Sequence, residues 1–300
     1  MKNQAVENKK DQSGVKGMLS NICKKFVQIN YRLRRMYAFI FLALVLLVIY
    51  TPLLLMFVFS FSRGEIGDWN GFTFDLYREF FTGREARRAL INTFVIGIVA
   101  ATLATCAGTF AAIGLMHLRG WKKRVVSAVN QLPLINATVV TGVAFMVFFI
   151  AVQFIPSGYA TIIIAHTMLC IPFVILVVLP RYAQLNPNLY EVGLDLGSRP
   201  IGVMFKVVMP QLLPAIFMAF CLAFAISLDD FIITALVRDE VHTVSTYIFT
   251  TMRGQLQRRE HLMAIASFMF MLTIGIVVLV LLYIKRQKKE KNRLEANLGV

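Results

Sequence analysis

No G-x-x-x-x-G-K-[ST] stretch occurs anywhere in this chain, so it holds no P-loop with which to bind ATP. Cysteine is scarce: Cys23, Cys106, Cys170 and Cys221 form no C-x-x-C pair, and none is placed for a disulfide outside a membrane. The four histidines, His117, His166, His242 and His261, are scattered without metal-ligand spacing. No nucleophile and base stand at catalytic spacing, so neither an enzyme acting alone nor a cofactor is indicated. Acidic residues are also few, 16 against 31 Lys and Arg, which gives a net charge of +15. A basic balance of this size raises the question of a nucleic-acid partner. No aromatic-basic binding surface accompanies it, so no such partner is expected.

What the chain does have is apolar residues, 58% of the total, gathered into long runs. About 20 apolar residues cross the hydrocarbon of a bilayer as a helix. Six stretches qualify: 37–61, 92–116, 127–155, 160–179, 212–237 and 262–284. Backbone polar groups cannot go unpaired in lipid, so each is predicted to be a helix. With the N-terminus inside, segments 1–36, 118–126, 181–211 and 285–300 carry about 22 of the 31 basic residues, as the positive-inside rule demands. The expectation is an all-α integral membrane protein with six transmembrane helices and both termini inside. Residues 1–36 and 285–300 form basic cytoplasmic tails, and 37–284 the membrane domain.

The first apolar run is too long for a signal-peptide core, and no small-x-small cleavage site follows it, so it is expected to stay as an anchor. Before it, Val15, Met18, Leu19, Ile22, Phe26, Ile29 and Leu33 recur at helical spacing among basic residues. Two readings stand: a helix on the inner membrane surface, or a disordered basic tail. In the second span, Ala100, Ala104, Gly108 and Ala112 line one face and predict a close-packed seam, within the bundle or with a second membrane subunit. Thr102, Thr105 and Thr109 are expected to add interhelical hydrogen bonds, and Ser227 and Thr234 to need inward-facing partners. Pro172 should bend the fourth span. Asn136 and His166, near the middle of their spans, face a cavity or bond a neighbouring helix. Between the first two spans, Trp69, Phe72, Phe74, Tyr77, Phe80 and Phe81 suit the headgroup level.

Asp229 and Asp230 fall inside the fifth run. An ionised Asp at mid-span costs about 2.5–3.5 kcal/mol, so two are not kept without a use. Neighbouring residues on a regular helix point about 100° apart and cannot both face one ligand atom. One carboxylate is expected to face a water-filled path for a cation while the other pairs with a basic group or caps a broken helix. A purely structural role for both, or a proton relay, are the alternatives.

Between the fourth and fifth spans, at about 183–210, lies an amphipathic, Gly- and Pro-punctuated loop suited to docking a soluble partner. It reads Glu191-Val192-Gly193-Leu194-Asp195-Leu196-Gly197, then nine residues, then Val207-Val208-Met209-Pro210. This resembles the E-A-A-x-x-x-G…I-x-L-P loop of the membrane subunits of binding-protein-dependent ABC importers with the type I fold. Glu191, Gly197 and Pro210 match, Val192 and Gly193 stand in the Ala positions, and Val207 and Met209 replace Ile and Leu. Within that superfamily the chain is most similar to the spermidine/putrescine permeases. Ser227-Leu228-Asp229-Asp230-Phe231 resembles their S-x-D-D-[FV], the segment His166 to Pro172-Phe173 their H-x-x-x-C-x-P-F, and Trp69-x-Gly71-Phe72-Thr73 their first outer loop. Where those permeases often have Pro-Asp, this chain has Pro133-Leu134.

The resemblance implies a non-catalytic permease subunit in a bacterial cytoplasmic membrane, translocating polyamines. Glu191, Val192, Gly193, Gly197, Val207 and Pro210 would dock into a cytoplasmic ATPase dimer, and Asp229 and Asp230 would line the substrate pathway. The implied partners are a second, homologous permease and an extracytoplasmic substrate-binding protein. Gly193 in place of Ala should loosen the docking helix by roughly 1 kcal/mol. The same machine for another solute, such as ferric iron, sulfate or an opine, and an ion-coupled secondary carrier are the other readings; six spans without an evident inverted repeat disfavour the carrier.

Overall fold

The computed structural model describes residues 34–62, 69–152, 154–186, 188–254 and 259–298. The amphipathic pattern at residues 15–33, with Cys23, lies outside them. Among the described residues every regular element is a helix, apart from one isolated antiparallel bridge between Ser62 and Phe72.

Residues up to Val58 and those from Phe59 onward form two units. The first contains nearly all of α1 (Arg34–Phe59), which is long and apolar enough to cross a membrane and has no buried residue in its most apolar window. Leu, Val, Ile and Phe occupy every side of it, the all-round apolar pattern of a span rather than of an amphipathic surface helix.

The second unit runs through α2 (Asp75–Thr82), α3 (Arg84–His117), α4 (Gly120–Ile135), α5 (Thr138–Ala151), α6 (Tyr159–Ala183), α7 (Asn188–Asp195) and α8 (Pro200–Val203). A π-helical turn at Met204–Val208 joins α8 to α9 (Met209–Asp229), followed by α10 (Ile232–Val237), α11 (Val244–Gly254) and α12 (Arg259–Leu298). Five helical stretches in the two units can each cross a membrane, and α4 with α5 make a sixth if that bent pair is one span.

The core forms where α3 packs against α6 and α9. Small residues allow this. Ala100, Ala104 and Ala112 are fully buried. At Gly108 an added Cβ would stand 2.6 Å from Val174 Cγ1 and 3.3 Å from the Ile171 carbonyl, so only glycine lets α6 come this close. The small-residue seam thus lies within the bundle. Its threonines behave otherwise than expected. Thr102 donates to the Ile98 carbonyl of its own helix at 2.7 Å, and the buried hydroxyls of Thr105 and Thr109 have no hydrogen-bond partner among the described residues. Thr102 thus finds its acceptor one turn back, as a helical Thr can, rather than on a neighbouring helix.

Two of the six expected spans are broken. The third divides at Asn136, where the backbone turns extended (φ −67°, ψ 145°) and α4 and α5 diverge by 107°. Pro133 removes a helical hydrogen bond in the last turn of α4, and Asn136 is an exposed C-cap rather than a mid-span polar group. The fifth stops at Asp230 (φ −67°, ψ 120°) and resumes as α10. At the other end, α12 carries the sixth span on through Leu298, so the described part of the basic tail is helical.

On the segment before α3, aromatic rings pack on one another. Phe61 stacks on Phe72 at 5.3 Å between centroids and meets Phe74 edge-on at 5.6 Å. Tyr77 reaches Ser60 through a 2.8 Å hydrogen bond, while Phe80 sinks into a cluster with Ala86, Ala89 and Leu262.

Candidate functional site

The break after Asp229 is held by four polar side chains from α6, α9 and α10. His166 projects from α6 and is 1% exposed. Its Nδ1 lies 2.7 Å from Ser227 Oγ on α9, and its Nε2 lies 2.8 Å from Thr234 Oγ1 on α10 and 3.4 Å from Asp230 Oδ2. The ring thus spans the interruption and touches the chain on both sides of it. One proton arrangement serves every group with a neutral imidazole. Ser227 donates to Nδ1, Nε2–H donates to Thr234, and the Thr234 hydroxyl donates to the carboxylate. Cys170, one turn along α6, repeats the tie by donating to the Ala223 carbonyl at 3.4 Å.

Asp230 does more than face the imidazole. Its Oδ2 accepts the backbone N–H of Thr234 at 3.0 Å and the Thr234 hydroxyl at 3.2 Å. A short helix starts with unpaired N–H groups, and in an apolar setting each needs an acceptor. The Asp230 carboxylate supplies one, and its charge suits the positive end of α10. The Asp230 carbonyl accepts Ser245 Oγ from α11 at 3.2 Å. Asp229, the last residue of α9, is exposed and has no hydrogen bond or ion pair among the described residues. The two carboxylates therefore differ in kind: Asp230 is built into the fold and Asp229 is free. Ser227 and Thr234, whose partners were left open by the sequence, both find His166.

The second site is the connector from α6 to α9. α7 ends in a Schellman motif: Ser198 N–H donates to the Gly193 carbonyl at 3.3 Å and Gly197 N–H to Leu194 at 2.9 Å. Gly197 has φ +78°, the left-handed conformation this motif requires and which other residues resist. Pro200 then opens α8 at a position where its missing N–H costs nothing. Pro210 cannot donate in the turn that follows. The chain widens ahead of it into a π turn, with Met209 N–H donating to Met204 and Gln211 Nε2 to the Val207 carbonyl at 3.1 Å.

Gly193 is buried against Val203, which is fully buried itself. A Cβ there would lie 2.7 Å from Val203 Cγ1 and 2.9 Å from Cγ2. The glycine is therefore needed for contact between α7 and α8, and the expected loosening describes only half of its effect. No spacing rule pointed to Val203, because its role depends on α8 folding back on α7. Tyr190, Met204 and Met209 anchor the connector on Ile113, Val208 and Leu212. Glu191, Val192, Gly197 and Pro210 are exposed and Val207 is half-buried. Glu191 also borders a cavity of about 460 Å³ with His117, Arg119, Tyr182, Asn186 and Gln211.

Comparison with known proteins places these features in a family. The chain is similar to the spermidine/putrescine transport system permease protein PotC of Haemophilus influenzae, 28% identical over 241 residues, covering 80% of this chain and 93% of the relative. It is similar to the PotC homolog of Mycoplasma pneumoniae, 28% identical over 270 residues and covering 85% and 93%. It also resembles the putrescine transport system permease protein PotI of Escherichia coli K12, 28% identical over 213 residues and covering 68% and 76%. Among solved structures it shares its fold with a chain of a bacterial ABC transporter that imports alginate, at a TM-score of 0.63 and 17% identity, covering 85% of this chain and 95% of that one. A chain of an amino acid ABC transporter follows at a TM-score of 0.53 and 19% identity, covering 70% and 95%. The fold is that of type I ABC importer permeases. Residues 104–290, more than half of the chain, match the model for the binding-protein-dependent transport system inner membrane component. With its apolar helices and punctuated connector, this chain belongs to that family of multi-pass inner-membrane transport subunits.

Proposed function

We propose that the chain is one of two membrane-spanning subunits of an ATP-driven polyamine importer. Its relatives carry spermidine and putrescine in their names, and their similarity covers most of both chains. The observation that carries the coupling half of this reading is the surface of α7 and α8. Val192, Leu196 and Ile201 are 52%, 80% and 74% exposed on a connector whose inner side is fixed by Tyr190 and Val203. Apolar side chains presented on a rigid support suit insertion into a groove of another protein. The partner is a cytoplasmic ATPase dimer, and Glu191, Val192, Gly193, Gly197, Val207 and Pro210 form or support the docking element.

ATP binding by that dimer favours one arrangement of the spans over another, and the free energy enters through α7. The second half of the pathway comes from a homologous permease, and an external binding protein delivers the substrate. A structural neighbour of this chain belongs to an alginate transporter solved with its periplasmic protein, which supports such a partner. Asp229 is the pathway carboxylate, because it is exposed and unpaired while Asp230 is engaged in the break.

The test is uptake of labelled spermidine and putrescine by cells carrying the importer. Deleting residues 188–199 while retaining membrane insertion should abolish uptake and separate the ATPase from the membrane. Undiminished uptake overturns the reading. Asp229→Asn should lower uptake of both amines, and full uptake removes that residue from the path.

A further inference from the structure

α10 and α11 line a second, open cavity, of about 440 Å³, beside the break at Asp230. Its chemistry is opposite to that of the break. Arg238 and Arg253 both line it, together with the rings of Phe231 and Phe249 and the threonines Thr246 and Thr250. The guanidinium of Arg253 lies over the Phe249 ring, 4.4 Å from its centroid, and Phe231 packs on Phe249 at 4.6 Å. Stacking fixes the plane of a guanidinium and leaves its edge N–H groups pointing outward. Arg238 spends one corner on His242, whose Nδ1 accepts from Nη1 at 2.7 Å. The remaining donors of both arginines meet no carboxylate among the described residues. Asp239 and Glu240 are exposed and form no ion pair with either arginine. Thr246 and Thr250 turn their hydroxyls to the carbonyls of Thr243, just before α11, and of Thr246, so the polar character of the cavity is that of the two cations.

Two guanidinium groups lining one cavity select an anion and repel a polyamine. We infer that this cavity is a docking socket for an acidic side chain, Asp or Glu, of the external binding protein. The inference rests on the importer reading above. Position and connection support it. The segment between α10 and α11 lies beside the start of α3, with Asn92 donating to the His242 carbonyl at 2.9 Å and Val244 N–H donating to Thr93 at 2.8 Å. On the expected topology that is the outer end of the bundle. Ser245 on α11 holds the Asp230 carbonyl, so a force applied at the socket reaches the broken helix directly. A carboxylate meeting Arg253 edge-on forms paired charge-assisted hydrogen bonds, a specific contact rather than a diffuse attraction.

The experiment measures docking of the importer's own binding protein, loaded with spermidine, to the intact complex in phosphatidylcholine nanodiscs. R238Q and R253Q should each weaken docking about tenfold, and the pair should also flatten its salt dependence. Saturating binding protein should restore the uptake rate in either variant. Amidating the binding protein's surface carboxylates should weaken docking to the native complex, a readout that does not depend on how the arginine variants fold, and should add little with the double variant. Equal docking by native and double variant, at the same salt slope, overturns the socket alone. So does loss of a tightly held anionic lipid from the double variant with docking unchanged, which makes a lipid phosphate the occupant. A native complex that docks no binding protein and holds no ATPase overturns the importer reading and the socket together.

Discussion

The Nε2 atom of His166 lies 3.4 Å from Oδ2 of Asp230, across the point where the fifth span stops being a helix. His166 belongs to α6, the helix that leads directly into the α7 connector. A displacement of that connector moves α6, and α6 holds both sides of the break through one imidazole. If the connector docks an ATPase as proposed, this arrangement would give coupling a physically continuous route, which mutation along it can test.

Asp230→Ala should destabilise the assembled subunit by about 1–3 kcal/mol, because Thr234 N–H loses its acceptor in a water-poor site. Asp229→Asn should stay within about 0.5 kcal/mol of the native protein. Thermal unfolding of the two variants in the same nanodiscs separates the roles. Equal shifts for both would contradict the division between a built-in and a free carboxylate.

His166→Leu and Asp230→Ala should not add. Each removes the same bridge, so the double variant should fall short of the summed single effects by about 0.5–3 kcal/mol. Cys170→Ser, one turn away, leaves the His166 contacts in place and serves as the control for disturbance of α6.

Gly193→Ala tests which of two opposing effects wins. Helix propensity alone favours alanine by about 1 kcal/mol. Forcing a methyl to 2.7 Å from Val203 Cγ1 costs about 1–3 kcal/mol, so the net change should be destabilising. Adding Val203→Ala should recover part of the loss. A more stable Gly193→Ala variant on its own would show that α7 and α8 do not pack this closely.

Gly197→Val should impair coupling more than Gly197→Asn. A β-branched residue resists φ +78°, at a cost of about 1–3 kcal/mol, whereas Asn tolerates it. ATPase stimulation by loaded binding protein is the readout, with membrane insertion measured beside it.

His242 sits outside the spans, where burial first and then the neighbouring Arg238 hold its pKa below the ordinary 6.5, against a smaller upward pull from Glu85. The folded protein therefore resists protonating this ring more than the unfolded chain does. Its contribution to stability is complete above the unfolded pKa and is lost as pH falls from about 6.5 through the lower folded value. His242→Gln should reduce the acid-side decline in melting temperature. Arg238→Gln removes the cation that favours the neutral ring, so the folded pKa should rise toward the ordinary value and the decline should shrink.

The expected helical class and basic inner segments rest on local quantities: length of apolar run, backbone satisfaction in lipid and the side on which Lys and Arg accumulate. These are properties of the chain itself, so the bundle class, the small-residue face of Ala100 to Ala112 and the turn at Gly197 were legible without coordinates. The runs at 127–155 and 212–237 are each divided between two helices, which hydropathy alone does not record because it does not say whether the backbone bonds within a run are made. Pro133 signalled the first break. The paired carboxylates allowed the second, as a helix break capped by one of them, and Asp230 is the one that caps it.

Two roles needed tertiary structure. Asp229 and Asp230 are the same residue type in adjacent positions, and contacts made only in the folded bundle distinguish them: Thr234 across the break and His166, 64 residues before Asp230 in sequence. Gly193 reads as a poor helix former until Val203 folds back to within van der Waals reach. In both cases the deciding partner is distant in sequence or reached through a turn, and the strength of such a contact depends on ångström-scale separations that composition and spacing do not specify.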